Sequence, residues 1–280
     1  MILILTAPED EHADAVAWHL RQARAPYLRL DPARFPAEMS LSARMRGTQL
    51  HRTLVMDERS HDLAEVSAVW TRRPGRPTAQ VSLGEAVVRD VVAQEGDLLV
   101  HGVWETLEVL HVPAPAAVVR RAGLKLRQLQ LAARMGFAVP DTAIGNDPAD
   151  LRSLYERHPM IVTKRVGSGP LGSTPDGHAT AGRPTRPVRR RDLLHADDVR
   201  LCPVVVQEYI PKSLELRITV VGEDVFAVAI DSQRSARTRH DWRHYDQRTT
   251  SMRAYDLPDE VARRAGDWSV SSASPTARST

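Results

Sequence analysis

Only three of the 38 Lys+Arg residues are lysines: Lys125, Lys164 and Lys212. In a chain so biased toward arginine, a retained lysine is a candidate for work that needs a compact ammonium. Lys125 opens the apolar-periodic segment "KLRQLQLAARMGF". Lys164 ends the apolar run "MIVTK", directly ahead of the Gly/Pro/Ser/Thr stretch "GSGPLGSTPDGHATAGRPTRP". Gly167, Gly169, Gly172 and Gly177 let backbone N–H groups approach a polyanion and let the loop fold over it. The chemistry these residues suit is phosphate binding.

A second stretch, "VVVQEYIPKSLELRITVVG" from Val204 to Gly222, carries an amide, carboxylates and a guanidinium between two apolar runs. Gln207, Glu208, Tyr209 and Ile210 follow a strand as a nucleotide hinge would. Backbone groups there can pair with an adenine edge while Tyr209 and Ile210 flank the ring. Glu215 can accept from ribose hydroxyls, and Arg217 can reach phosphate with a planar fork. The same pattern fits an edge hairpin with a surface Glu–Arg pair, which contributes little. Upstream, "TRRPGRP" gives Arg72 and Arg73 either a peptide carboxylate to hold or a loop to solvate. The basic run "RPTRPVRRRD" has no interleaved aromatic residues, which argues against nucleic acid. The scattered histidines show no metal-ligand spacing.

These residues need elements to position them. "MILILT" reads as a strand buried on both faces, followed by an amphipathic helix with Ala15, Val16, His19 and Leu20 near one face and by the strand "PYLRL", which together make a βαβ unit. "TLVMD" and "SAVWTRRP" add strands, and a helix through 86–107 closes an α/β domain over residues 1–112. "HVPAPAA" reads as a linker. A helix from Lys125 ends at Gly136 as a C′ cap. The predicted domains are 1–112, 113–203 with the Gly-rich loop, 204–264, and a disordered tail over 265–280 rich in Ser, Thr and Ala. The class is α/β (α+β). At 280 residues and 42% hydrophobic, the chain can bury such a core. A net charge of +3 is too weak to argue for nucleic acid. The single cysteine, Cys202, excludes a disulfide framework, fits a reducing cytoplasm, and reads as a buried structural thiol beside Pro203. The N-terminus lacks signal-peptide character, and no apolar run approaches the ~18 residues of a membrane span.

Taken in order, the two lysines, the Gly-rich loop, Gln-Glu-Tyr-Ile and Glu-Leu-Arg resemble the ATP-grasp superfamily. Within it they are most similar to the graspetide synthetases, the maturases of ribosomal peptides that include the microviridin-type ligases and actinobacterial relatives. The stretches that carry this are "AVWTRRPGRP", "GLKLRQLQLAARMGFAVPDT", "IVTKRVGSG", "VVVQEYIPKSLELRITVVGEDVFAVAIDSQ" and "DWR" at 241–243. The resemblance spans roughly residues 1–264 and is most specific in the 204–233 region. It implies an N-terminal pre-ATP-grasp domain followed by an ATP-grasp fold whose two sheets clamp ATP. Lys125 and Lys164 would then hold phosphates, with Gly167 and Gly169 in the covering loop. Residues 207–210 would hold adenine and Glu215 ribose, with Arg217 and Arg243 facing the γ-phosphate or an acyl phosphate. Arg72 and Arg73 would hold substrate.

The implied activity is ATP-dependent activation of Asp/Glu side chains of a precursor peptide, leader and core, with ester or amide ring closure. The resemblance leaves room for a homodimer. Two further readings are a RimK-like amino-acid ligase and a non-catalytic precursor-binding protein. The family also implies Mg²⁺, held by an acidic residue on one late strand and a Glu-x-Asn pair on the next. The only asparagine here is Asn146, and no Glu follows Glu260. The metal positions are therefore unassigned, and the sequence predicts that the end of the domain is missing, with activity reduced accordingly.

Overall fold

The computed structural model describes residues 1–167, 185–244 and 250–273. The backbone divides into two compact units, Met1–Val119 and Arg120–Thr280.

In the first unit, β1 (Ile2–Thr6) is followed by α1 (Glu11–Gln22), β2 (Tyr27–Leu30), β3 (Met39–Arg46), β4 (Gln49–Met56), β5 (Arg59–Asp62), β6 (Ala68–Arg73), α2 (Ala86–Glu105) and β7 (Leu110–Val112). A parallel sheet runs in the order β2-β1-β6-β7, and β3-β4-β5 form an antiparallel meander. The Ile-Leu-Ile-Leu run of β1 is central and sealed on both faces, as a continuous apolar strand in a parallel sheet must be. Leu3, Leu5, Leu54, Val69 and Trp104 belong to one core shared by sheet, meander and α2. Asp10 caps α1 by accepting from the His12 and Ala13 amides. The buried face of α1 is Ala13 and Ala17, not Ala15, Val16 and His19, which are exposed, with Leu20 half-buried. Small residues win there because the helix lies close against the sheet. The strand β3 was not anticipated; its Met39 and Leu41 alternate with Ser40 and Ser42, and Gly47 turns it into β4 at φ +62°.

The second unit contains α3 (Ala116–Ala122, entering it from the first), α4 (Lys125–Arg134), β8 (Thr142–Gly145), α5 (Pro148–Arg157), β9 (Ile161–Arg165), β10 (Arg186–Pro187), β11 (Val204–Glu208), β12 (Glu215–Val221), β13 (Asp224–Ile230), β14 (Met252–Ala254) and α6 (Asp259–Ala273). Two antiparallel sheets form, in the orders β10-β9-β11-β8 and β12-β13-β14. Leu151 and Leu154 of α5 pack with Ile161 and Val206 on one face of the first sheet. The other face carries Lys164, opposite Val205 in register. Gly136 sits at φ +75° just past α4, the predicted C′ position.

Four expectations change. The unit boundary falls after Val119 rather than at 112, since the Pro113/Pro115 stretch leads straight into α3. Strand β11, placed with the C-terminal part from 204 onward, is an inner strand of the central sheet. It therefore makes no hairpin with β12, which lies in a different sheet. Cys202 is exposed, not buried, because it caps the 3-10 stretch Arg190–Leu201 before β11 enters the core. Residues 265–273 are helical within α6, not a tail; Val261, Ala265 and Trp268 recur at helical spacing and are all partly buried.

Candidate active site

Lys164 is the penultimate residue of β9, on the face of the sheet that α5 does not cover. Its ammonium donates to Gln207 Oε1 at 2.6 Å, and Gln207 Nε2 donates to Thr142 Oγ1 at 2.7 Å. Thr142 Oγ1 in turn donates to the Pro140 carbonyl at 2.7 Å. The chain of bonds crosses β9, β11 and β8 and fixes the ammonium in place. Burial pushes the Lys164 pKa down, and the charges of Lys125 and Arg243 push it further, with Asp241 alone opposing them. Lys164 thus feels two further cations and one carboxylate. Such a point has an unmet demand for anion.

That carboxylate is itself committed. Asp241 is buried and accepts from the Thr185 amide at 3.2 Å and from Arg243, through its amide at 3.1 Å and Nε at 2.9 Å. Burial raises its pKa, but Arg243 and the Thr185 amide outweigh this and hold it below the ordinary value. Asp241 therefore aims Arg243 and does not quench the cluster.

Beside the cluster lies a cavity of about 570 Å³ in the second unit, lined by Lys125, Lys164 and Gln207 and, on the apolar side, by Ile144, Val205 and Trp268. Ile218 and Val220 of β12 also line it. Glu215 and Arg217 alternate with them along the strand and so point to the other face of that sheet. Glu215 takes an ion pair from Lys212 at 2.6 Å, while its Oε2 is buried without a hydrogen-bond partner among the described residues. A buried carboxylate oxygen left open is an acceptor awaiting a donor.

The hinge residues divide. Gln207 belongs to the lysine relay. The Glu208 amide is taken by the Asp141 carbonyl, and its side chain accepts from the Asp141 amide at 3.2 Å, so Glu208 ties β11 to the start of β8. The Tyr209 amide donates to the Met160 carbonyl at 3.0 Å, and Ile210 is half exposed. Neither the Glu208 nor the Tyr209 N–H is open toward an adenine edge in this structure. The Tyr209 ring meets His240 edge-on at 5.4 Å. His240, not singled out from the sequence, has a buried Nδ1 without a partner among the described residues. Burial, then Arg239 and Lys212, push its pKa down, so the ring is neutral near pH 7. Only its position one residue before "DWR" could have drawn attention to it.

Gly167 is exposed with open space around its α-carbon, while Gly169 lies outside the described residues, as does most of the Gly-rich loop. In the first unit, Arg72 approaches the buried Asp10 at 3.8 Å and Arg73 is exposed. Burial pushes the Asp10 carboxyl up, but the Thr6 hydroxyl, Arg72 and two α1 amides hold it below its ordinary value. Among the described residues, no three His, Cys, Asp or Glu side chains converge to hold a metal ion. The Mg²⁺ implied by the resemblance has no ligand set among those residues. No described helix is long and apolar enough to cross a membrane.

Residues 1–118 match the family model of the MvdD pre-ATP-grasp domain. The chain also matches the structure of macrocyclase MdnC bound with precursor peptide MdnA from Microcystis aeruginosa MRC, with 29% identity over 97% of this chain and 83% of that one, at a TM-score of 0.82. Its fold matches that of ATP-grasp ligases with a pre-ATP-grasp domain. A second ATP-grasp ligase, the RiPP-associated enzyme of Chryseobacterium gregarium in complex with ADP and a leader and core peptide, matches at 27% identity, over 97% of this chain and 81% of that one, with a TM-score of 0.83. D-alanyl-alanine synthetase A from Vibrio cholerae shares the ATP-grasp ligase fold at 10% identity and a TM-score of 0.53. Comparison with curated proteins gives no match.

Proposed function

We propose that this ATP-grasp ligase activates Asp or Glu side chains of a ribosomal precursor peptide with ATP and closes ester or amide rings. The observation that carries this is the pair Lys125 and Lys164 lining a largely apolar cavity, with the charge of Arg243 felt at Lys164. Cations at one end and aliphatic walls beyond suit a nucleotide polyphosphate with its base. Lys125 and Lys164 would hold the phosphates, and Gly167 and Gly169 would let backbone N–H groups approach them. Gln207 would set Lys164, and Glu208, Tyr209 and Ile210 would frame the base. Arg243 would neutralise the transferred phosphoryl group, and Arg72 and Arg73 would hold the peptide. Glu215 and Arg217, expected at the ribose and the γ-phosphate, stand on the face of β12 turned away from this cavity and have no contact with a nucleotide bound in it.

In the first step a carboxylate oxygen attacks the γ-phosphorus and ADP leaves, which gives an acyl phosphate. A Ser/Thr hydroxyl or Lys amine of the same peptide then attacks the acyl carbon. Phosphate leaves and the nucleophile loses its proton. The protein's contribution is positioning and charge neutralisation, with no covalent enzyme intermediate. Magnesium and ATP are the expected cofactors of this chemistry, and the ADP-bound ligase at 27% identity supports nucleotide use. Leader and core contacts, a homodimer and a cytoplasmic location belong to the same proposal. Joining of separate molecules and a purely peptide-binding role are less favoured, because the matches at 27–29% identity are a macrocyclase and a RiPP-associated ligase, each with peptide bound, whereas D-alanyl-alanine synthetase A matches at 10%.

The test is mass spectrometry of an acidic, Thr- and Lys-containing precursor co-expressed with the chain, with loss of one water per ring as the expected product. A peptide that stays linear, together with no binding of a non-hydrolysable ATP analogue, rejects the assignment.

A further inference from the structure

Arg73 to Pro77, "RPGRP", leaves β6 at the carboxyl end of the parallel sheet, the edge where open α/β sheets bind ligands. Three contacts fix this short segment. Asp31, at the end of β2, accepts from the Gly75 amide at 2.8 Å and from the Ala33 amide at 3.1 Å through the same oxygen, Oδ1. The approach is so close that a Cβ on Gly75 would stand 2.6 Å from the Ala33 Cβ. Pro77 is buried over Gly96 of α2, where a Cβ would meet the proline ring at 3.0 Å. The Arg73 carbonyl accepts from the Ala7 amide at 2.9 Å. With two prolines, a bonded glycine amide and both ends packed, the backbone has almost no freedom left.

The neighbouring arginines are each committed. Arg29 pairs with Asp14, Arg34 with Glu38 and Asp57 at 2.8 Å each, and Arg72 faces Asp10. Arg73 and Arg76 are exposed and have no carboxylate partner among the described residues. A solvated loop arginine needs no preset backbone. A cation that must meet a carboxylate does, because ordering it in advance removes part of the entropy cost of binding. A cavity of about 270 Å³ opens alongside, lined by Thr6, Arg29, Asp31 and Arg34.

We propose that the Arg73–Pro77 segment is a preset site for the side-chain carboxylate of an acidic peptide, with Arg73 and Arg76 as its cations and Asp31 as the residue that positions them. This rests on the reading of Arg72 and Arg73 as peptide-binding and adds Arg76, Asp31 and Gly75 to it.

The test uses the full chain, fluorescence anisotropy at low salt, and a fluorescein-labelled hexapeptide of alternating Thr and Glu, with Gln in place of Glu as control. The Glu peptide is expected to bind about tenfold tighter than the control. Arg73→Ala or Arg76→Gln is expected to remove most of that preference. Asp31→Ala should do the same and accelerate exchange of the Gly75 amide proton. Asp31→Asn keeps an oxygen acceptor for that amide and should stay within about twofold of the parent. If Arg73→Ala weakens binding but Asp31→Ala leaves it unchanged, the positioning role is wrong while the peptide reading stands. If neither arginine variant changes the Glu/Gln preference, both fail, whatever the second unit does with nucleotide. Should Asp31→Ala not fold, the exposed Arg76→Gln decides: unchanged preference overturns the proposal.

Discussion

Lys164 and Gln207 stand two register positions apart on neighbouring strands, on the same face, joined by a 2.6 Å hydrogen bond from Nζ to Oε1. A half-buried lysine whose first partner is a neutral amide keeps its positive charge available, since the amide orients the ammonium without neutralising it. Lys164→Ala is expected to weaken binding of a non-hydrolysable ATP analogue by about 100-fold, the loss of roughly 3 kcal/mol of phosphate contact in a partly dry site. Gln207→Leu keeps the volume and removes the acceptor, so a smaller loss of about five- to tenfold is expected. Equal affinities for parent and Lys164→Ala by isothermal titration calorimetry would refute the phosphate role.

Nucleotide affinity should depend on alkaline pH. In the free protein, burial and the charges of Lys125 and Arg243 hold the Lys164 pKa below its ordinary value. A bound polyphosphate favours the protonated form and raises it again. Binding therefore takes up a proton in the window between the two values, and affinity falls as pH rises through the free-state pKa. Calorimetry in buffers of different ionisation enthalpy should show this proton uptake. The uptake should vanish in Lys164→Met; if it persists there, another group is the source.

Acid should destabilise the second unit in two stages. His240 has a lowered pKa, so the unfolded chain takes a proton near pH 6.5 that the folded protein refuses until lower pH. Stability therefore declines as pH falls through that window. Asp241 is also lowered, so its contribution is complete above its ordinary value of 3.8 and is lost as pH falls through the folded value. Urea unfolding against pH should lose the upper stage in His240→Gln. Asp241→Asn should lose part of the lower stage, which Asp141 shares, and should cost about 1–2 kcal/mol at pH 7 through its hydrogen bonds from Arg243 and Thr185. An unchanged upper stage in His240→Gln would assign it to another histidine.

Parts of this were written plainly in the chain. The Ile/Leu run of β1 and the Val run of β11 read directly as buried strands. Lys125 and Lys164 stood out because so few lysines remain. Other parts were hidden for physical reasons. The four residues of β8 are too few for a periodic signal, yet β8 brings Thr142 to Gln207. The apolar runs of β11 and β12 are only six residues apart, so proximity suggested pairing, and nothing local reveals that they join different sheets. Glu215 and Lys212 found each other where Glu215 and Arg217 had been paired by spacing. Asp241 and His240 matter through partners 31 to 77 residues away, such as Tyr209 and Lys164. Sequence spacing cannot show such contacts.

The last helix supplies the most direct optical test. Composition made residues 265–280 read as a tail, but Val261, Ala265 and Trp268 lie at i, i+4 and i+7, and Trp268 and Ser269 line the same cavity as Lys125 and Lys164. If the nucleotide base enters this cavity, it comes against the indole, and stacking or altered polarity changes the emission. Addition of a non-hydrolysable ATP analogue is therefore expected to shift or quench tryptophan fluorescence. Trp268→Phe should lose most of this response while Trp18→Phe, exposed on α1, keeps it. Trp268→Ala should in addition cost about 1–2 kcal/mol, since the side chain is only partly buried. A response retained in full by Trp268→Phe would put the base elsewhere, on the face of β12 that carries Glu215 and Arg217.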